Sequence, residues 1–426
     1  MRQNTSLRIW MAFAAVLAAA PWAFSSGLSL ALLSQMGIAI IACLSFNMLL
    51  GQGGMMSFGH AMYSGLGAFC AMHALNHWST GALALPVTLI PLVGGLGGLV
   101  CALLLGGIST GKSGTPFAMI TLGLGELVYA AALMVPELFG GEGGVTGNRV
   151  AGAAVFGITY GPARQMYYLI AAYTLVCVAL MYAFTQTPLG RLLNAARDNP
   201  QRLEFVGYNP QRVRYAAFVV SGFFAGVAGG LAALNFEIVN AEAVSATRSG
   251  AYLLFTVLGG TAQFYGPIIG GVLMVLATVF LSELTKAWLL YLGLAFIAMV
   301  VLAPGGIAAG VQALRRVRDV RALLPMAPAL IASAMAITPA FIALAAAIEM
   351  LYHQQLHAAQ GTALHFGGLV LDTASPASWV TCLAVAVGGL PLAIVSFRRL
   401  RMKWEGVQTA KVAPATQSEN ATAGRM

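Results

Sequence analysis

Four residues stand where polar chemistry is costly. Glu126 lies inside an apolar run, 115–136, and Gln52, Ser57 and His60 lie in the glycine-rich stretch GQGGMMSFGHAMYSGLGA at Gly51–Ala68. A carboxylate within an apolar segment of that length has two ordinary roles: it lines a polar path, or it meets a buried partner. Asn47 and Glu126 together offer a third, tying two helices to each other. A glycine-rich break in an apolar helix frees backbone N–H and C=O groups, which hold small solutes at the middle of a membrane. The plainer reading of Gly51–Ala68 is close helix packing through Gly65 and Gly67. The sequence leaves both open.

Other constellations fall short. GGISTGKS at 106–113 formally matches a phosphate-binding loop. That loop needs a strand before it and a helix that continues through the lysine. Here an apolar segment precedes it and Gly114-Thr115-Pro116 follows, so Lys112 reads as a charge anchoring the end of a span. His353 and His357 are four apart, with His365 and Asp372 nearby, and His73 and His77 repeat that spacing. Neither group completes a metal set. The five cysteines, Cys43, Cys70, Cys101, Cys177 and Cys382, all lie in apolar segments without a CxxC pair, as small packing residues do. No catalytic arrangement, metal or cofactor is expected.

The elements that hold these residues follow from composition. Of 426 residues, 59% are hydrophobic and only 8% charged, where soluble domains carry roughly 25% charged residues. That excludes an ordinary soluble enzyme, a disordered chain and a nucleic-acid-binding domain. The alternation of a membrane β-barrel is absent. Twelve apolar runs read as helical spans: about 9–26, 28–50, 57–76, 83–107, 115–136, 166–186, 215–236, 249–264, 267–284, 287–303, 327–350 and 377–397. Those at 57–76, 115–136 and 249–264 carry polar residues and glycines and are candidates for broken or re-entrant segments. The fold class is an all-α polytopic membrane protein, with about ten core helices and two more at the C-terminus.

Positive charge orients the spans. With the N-terminus inside, four of the 22 Lys and Arg (Arg149, Arg164, Arg248 and Lys286) fall outside and the other 18 inside. The imbalance supports twelve crossings with both termini cytoplasmic; two compensating errors in the count would leave it unchanged. The chain divides into a first helix at 1–27, a core at 28–310, an extension with two spans at 311–406 and a polar, disordered tail at 407–426. The extension encloses an outside loop, 351–376, with three histidines.

Segment 187–214 is the longest polar stretch on the inside of the core. Asn199 is placed to cap a helix whose first residue is Pro200, Gly207 to stop it, and Asn209-Pro210 to prevent continuation. The helix, about two turns long, carries Leu203 and Val206 on one side and Arg202 and Glu204 elsewhere. Such a helix either docks into a partner's groove or anchors the interface.

Several stretches together resemble the permease subunits of branched-chain amino acid ABC importers of the LivM type. They are LLGQGGMMSFGHAMYSGLGAF at 49–69, TPFAMITLGLGELV at 115–128, GGEGGVTG at 140–147, the segment from Thr187 to Leu231, VLGGTAQFYGPIIG at 257–270 and APGG at 303–306. Order and spacing match over about 28–310, and 187–231 is the most specific part. The resemblance implies an inner-membrane pore subunit that pairs with a second, related permease. Two cytoplasmic ATPases drive it and a periplasmic binding protein delivers substrate; no nucleic acid takes part, and the only other partner is membrane lipid. It makes 187–210 the ATPase-coupling loop, with Arg197, Asn199, Pro200, Arg202, Glu204 and Gly207 carrying the coupling. Gln52, Ser57, His60 and Glu126 are then candidates for the translocation path. Relatives carry other amino acids, amides and urea. A sugar-type ABC permease and an ion-coupled secondary transporter, which would use Glu126, are the rivals. Two features depart from the family: the extension 311–426, and Asn199-Pro200 where relatives tend to have acidic residues.

Overall fold

A computed structural model describes residues 2–79, 86–150, 159–285, 287–302, 305–316, 327–356, 363–366, 369–389, 391 and 395–396. The chain forms two units: Met1–Val279 with Leu294–Gly310, and Phe280–Gly293 with Val311–Met426.

The first unit is helical. Helices α1 (Arg2–Ala23) and α2 (Gly27–Asn47) are joined by a short link, and the Ser26 hydroxyl caps α2 by accepting from Ser29 N at 3.2 Å. α2 does not end cleanly. It widens into a π-turn at Met48–Gln52, and the backbone leaves the helix through Gly53 and Gly54, the latter at φ +64°. α3 (His60–Ser79) begins seven residues after the turn. The sequence candidate at 57–76 is therefore a continuous helix with an unwound entry. α4 (Ile90–Ser109) and α5 (Thr115–Met134) follow; α5 is likewise unbroken, and a short α6 (Pro136–Phe139) leads to the strand β1 (Val145–Thr146). The phosphate-loop lookalike falls in the α4–α5 turn: Thr110 ends α4, Gly111 and Lys112 are exposed, and a helix rather than a strand precedes them.

α7 (Ala163–Gln186), α8 (Pro188–Asp198), α9 (Pro200–Phe205) and α10 (Pro210–Phe236) are separated by three repeats of one device. Thr187, Asn199 and Asn209 each adopt an extended backbone, accept a backbone N–H with the side chain, and are followed by proline. After α10 come β2 (Ile238–Val239), antiparallel to β1, then α11 (Ala246–Gly259) and α12 (Gly266–Leu276), which continues as a π-turn to Leu281. At about 1.5 Å per residue, α11 and α12 are each shorter than the roughly 30 Å apolar layer. The candidates at 249–264 and 267–284 are thus apolar helices of about 21 and 24 Å joined by a tight turn, each shorter than a full span. Removing both from the count leaves its parity, and so every later side assignment, unchanged. Among the described residues five helices are long and apolar enough to cross a membrane, or six if the bent pair Trp288–Val301 and Gly306–Gln312 is one span.

α10 is the axis of this unit. Its cross-helix packing relies on glycine: a Cβ on Gly67 of α3 would lie 2.6 Å from Gly226 Cα and from Gly94 O, and one on Gly98 of α4 would lie 2.8 Å from Gly226 Cα. Lipid gives no hydrophobic driving force between helices, so backbone-to-backbone contact of this kind does the joining. At the far end of α10, Glu237 takes a left-handed conformation (φ 56°). Its Oε1 accepts from Arg149 N at 2.9 Å, while the Arg149 Nη1 donates to Leu234 O at 2.9 Å, which fastens the β1–β2 ribbon to the helix end.

The second unit includes α13 (Ser282–Leu284), the start of α14 (Trp288–Leu302), the end of α15 (Gly306–Arg316), α16 (Ala327–Leu356), a hairpin of β3 (Ala363–Phe366) and β4 (Leu369–Asp372), and α17 (Pro376–Gly389). Ala346, Ala347, Met350 and Cys382 form its core, with Leu371 and Trp379 packed on them. Thr285 and Tyr291 hydroxyls both donate to Glu349 Oε1, the latter at 3.2 Å. His357 and the tail 407–426 lie outside the described residues.

Candidate functional site

The break between α2 and α3 concentrates unsatisfied polar groups. Asn47 Oδ1, Gln52 Oε1, Ser57 Oγ, His60 Nδ1 and Tyr63 OH are buried without a hydrogen-bond partner, and the one further case among the described residues is Arg214 Nε. Buried polar atoms are nearly always paired, so five orphans within one short stretch call for a guest or water. Neighbouring helices hold the rest of the break in place. Phe58 N donates to Thr121 Oγ1 at 3.2 Å and Ala61 N to Ser249 Oγ at 2.9 Å. Ser45 Oγ donates to Ala42 O at 2.7 Å and lies 3.0 Å from His60 Nε2. In the tautomer that matches a Ser45 hydroxyl donating to Ala42 O, Nε2 carries the imidazole proton and Nδ1 is an acceptor. All five orphans accept hydrogen bonds and only the two hydroxyls also donate. The break is therefore suited to a donor-rich group such as an ammonium, an amide NH2 or water. Gln52, Ser57 and His60 are gathered here; Asn47 and Tyr63 join them, which spacing alone did not disclose for Tyr63.

The segment after α7 has the predicted punctuation and a different face. Asn199 Oδ1 accepts from Arg202 N at 2.9 Å, and Gly207 sits at φ +89°, with its N–H donating to Glu204 O at 2.8 Å. Gly207 is at the αL position where other side chains would be strained. The helix is six residues long, so Val206 falls beyond it. The pairing of Leu203 with Val206 on one side is corrected: Leu203 is 5% exposed and turns into the chain's own core, while Phe205 and Val206 are 91% and 69% exposed, with Tyr208 also exposed. Arg202 and Glu204 are exposed beside them. Exposed apolar clusters of this kind are a common mark of interaction surfaces.

One side chain joins the two regions. α8 is amphipathic, with Gly190, Leu193 and Ala196 buried. From its last turn Arg197 donates through Nη1 to Gly51 O in the π-turn, and its Nε donates to Asp198 Oδ1 at 2.9 Å. A Cβ on Gly54 would lie 2.7 Å from Arg197 Cγ, and one on Gly53 3.2 Å from Leu193 Cδ1, so α8 packs against the break directly. Arg214 Nη2 bonds Ala196 O at 3.3 Å and ties α8 to α10 as well.

Glu126 is elsewhere. It lies on the outer face of α5 with exposed Met119, Leu122 and Leu127, and does not bond Asn47. The helix-tying alternative is thereby removed. A carboxylate on the outside of a span-length helix requires cover other than lipid.

A profile of the branched-chain amino acid transport system permease component matches residues 28–304. The chain is 27% identical to the LivM high-affinity branched-chain amino acid transport permease of Salmonella typhimurium over 318 residues, covering 70% of this chain and 73% of that one. It is equally identical to the Escherichia coli LivM over 291 residues, 63% of this chain and 67% of that one. A probable LivH permease of Methanocaldococcus jannaschii is 25% identical over 217 residues, 50% of this chain and 68% of that one. No solved structure matches. With residues 28–304 inside the matched region and at least five described helices long and apolar enough to cross a membrane, this chain is a multi-pass transport component rather than an enzyme and belongs to the branched-chain amino acid transport permease family.

Proposed function

We propose that this chain is a pore-forming subunit of an ATP-driven importer in the bacterial inner membrane, with both termini in the cytoplasm. It pairs with a second, related permease, two cytoplasmic ATPases and a periplasmic binding protein. Its substrates are branched-chain or chemically related amino acids, or small amides and urea. The observation that carries this reading is the physical link from the α9 tip to the α2–α3 break through Arg197 and Gly51.

The mechanism follows from that link. Phe205, Val206 and Tyr208 seat in an ATPase groove, with Arg202 and Glu204 at its rim. Asn199, Pro200 and Gly207 fix the helix so that motion of the ATPase moves it as a body. Arg197 at the end of α8 carries the displacement to the Gly51 carbonyl. The π-turn then changes shape and alters which of Gln52, Ser57 and His60 face the path. The ammonium of an amino acid suits the acceptor-rich break. Glu126 faces the second permease, where the path between the two chains would cover it.

The test is a mild-detergent pull-down of the tagged chain with an ATP hydrolysis assay. A second permease and ATPases should co-purify, and Phe205→Asp should release the ATPases from a chain that still inserts. Uptake by a chain purified alone, in vesicles without ATP, would overturn the importer reading. Normal transport with Arg202 and Glu204 both replaced would remove their part in coupling.

A further inference from the structure

A cleft of about 290 Å3 lies at the end of α10 remote from α9. The 27 residues of α10 put roughly 40 Å between the two. Ala232, Phe236 and Val239 give the cleft an apolar floor, and Asn240, Glu242 and Arg248 line its polar side. What marks these two charges is that opposite signs line one cleft, Glu242 exposed and Arg248 half-buried. Neither of them belongs to the ion pairs of the described residues, which are Arg149 with Glu237 and Arg197 with Asp198. Each is also held by a short, stiff element: Glu242 by the turn Ala241–Val244, and Arg248 by the first turn of α11, where Ser245 Oγ caps Arg248 N at 3.2 Å.

We propose that this cleft recognises a zwitterionic α-amino acid with an apolar side chain. The guanidinium of Arg248 takes the carboxylate in a two-pronged contact. Glu242 and the Asn240 amide oxygen take the ammonium, and the floor takes the side chain. A molecule lacking either charge would leave one of two opposite charges unmatched, so selection operates on the zwitterion as a unit. The volume is at the small end of ligand pockets, which fits a single amino acid and not a peptide. The inference deepens the importer reading and rests on it for the side of the membrane: the cleft is then the first contact of substrate with the permease, and the α2–α3 break a later one.

The test uses the whole complex in vesicles and a leucine analogue with a diazirine in its side chain. After illumination, the peptide containing Ala232–Val239 should carry label, and excess leucine should abolish it. Leucinol, which lacks the carboxylate, and 4-methylpentanoate, which lacks the amine, should protect at least tenfold less well. Arg248→Met and Glu242→Gln should each cut labelling about tenfold or more while the binding protein still co-purifies; Arg248→Lys should recover part of it. Phe236→Trp fills the floor without touching the charges and should also abolish label. Uptake of the analogue, measured in parallel, judges the importer reading separately. Uptake without label in this peptide overturns the cleft. So does equal protection by leucinol, or a loss of label that tracks loss of the binding protein.

Discussion

The α3–α4–α10 seam and the α2–α3 break share helix α3 and solve opposite problems. In the seam, glycines at 67, 94, 98 and 226 bring backbones together and leave no side-chain polar atom to satisfy. In the break, the backbone comes apart and five polar atoms are buried without partners. The same residue type serves both: glycine removes a Cβ where helices touch and permits the turn out of α2 where they part. The seam is a fixed frame with one packing solution. The break is the part with alternatives, since every orphaned group has something to gain by moving toward a guest.

Substitutions that separate frame from moving part sharpen this contrast. The largest effect is expected from Gly226→Leu, which drives a side chain into the α4 backbone. It should abolish recovery of folded chain from membranes, read by gel filtration in detergent. A monodisperse Gly226→Leu protein would break the comparison. Next comes Phe205→Asp, which should lower ATPase co-purification at least tenfold with folding intact, because it places a charge at the centre of an apolar contact. His60→Gln keeps most of the volume buried against Phe46, Tyr63 and Tyr252 and an amide donor near Ser45 but removes the Nδ1 acceptor, so it should lower uptake several-fold with only a modest loss of thermal stability. A collapse in stability would make His60 part of the frame. The smallest effect belongs to Asn199→Ala: loss of the cap costs about 1 kcal/mol of local helix stability, read as faster hydrogen exchange over 200–207 with partial loss of uptake.

How much of this was legible in the sequence depends on the range of the interaction. The capped helix at 199–207 was readable because Asn-Pro, Gly and Asn-Pro each act within four residues. Its phase was not: in six residues, burial of Leu203 and exposure of Phe205 depend on α8 and α10, which no local pattern contains. The apolar runs were readable as helices, but 249–264 and 267–284 have the composition of spans and fall short of their length; the turn at Gly260, φ +110°, settles where the first one stops. The polar cluster Gln52, Ser57 and His60 stood out by cost, whereas Tyr63 reads as ordinary packing until its hydroxyl is seen unpaired. The bond from Arg197 to Gly51 spans 146 positions, and nothing in either segment announces the other.

That bond is where the account is most exposed. The decisive measurement is ATP hydrolysis and amino acid uptake, recorded together, for the whole complex carrying Arg197→Met in vesicles. Methionine keeps the stem that packs on Gly54 and removes the donors to Gly51 O. The account predicts that hydrolysis and subunit assembly persist while uptake per ATP falls about tenfold or more, with Arg197→Lys between the two. Uptake per ATP equal to that of the unaltered complex would contradict it, and would mean that the break opens without being driven through α8.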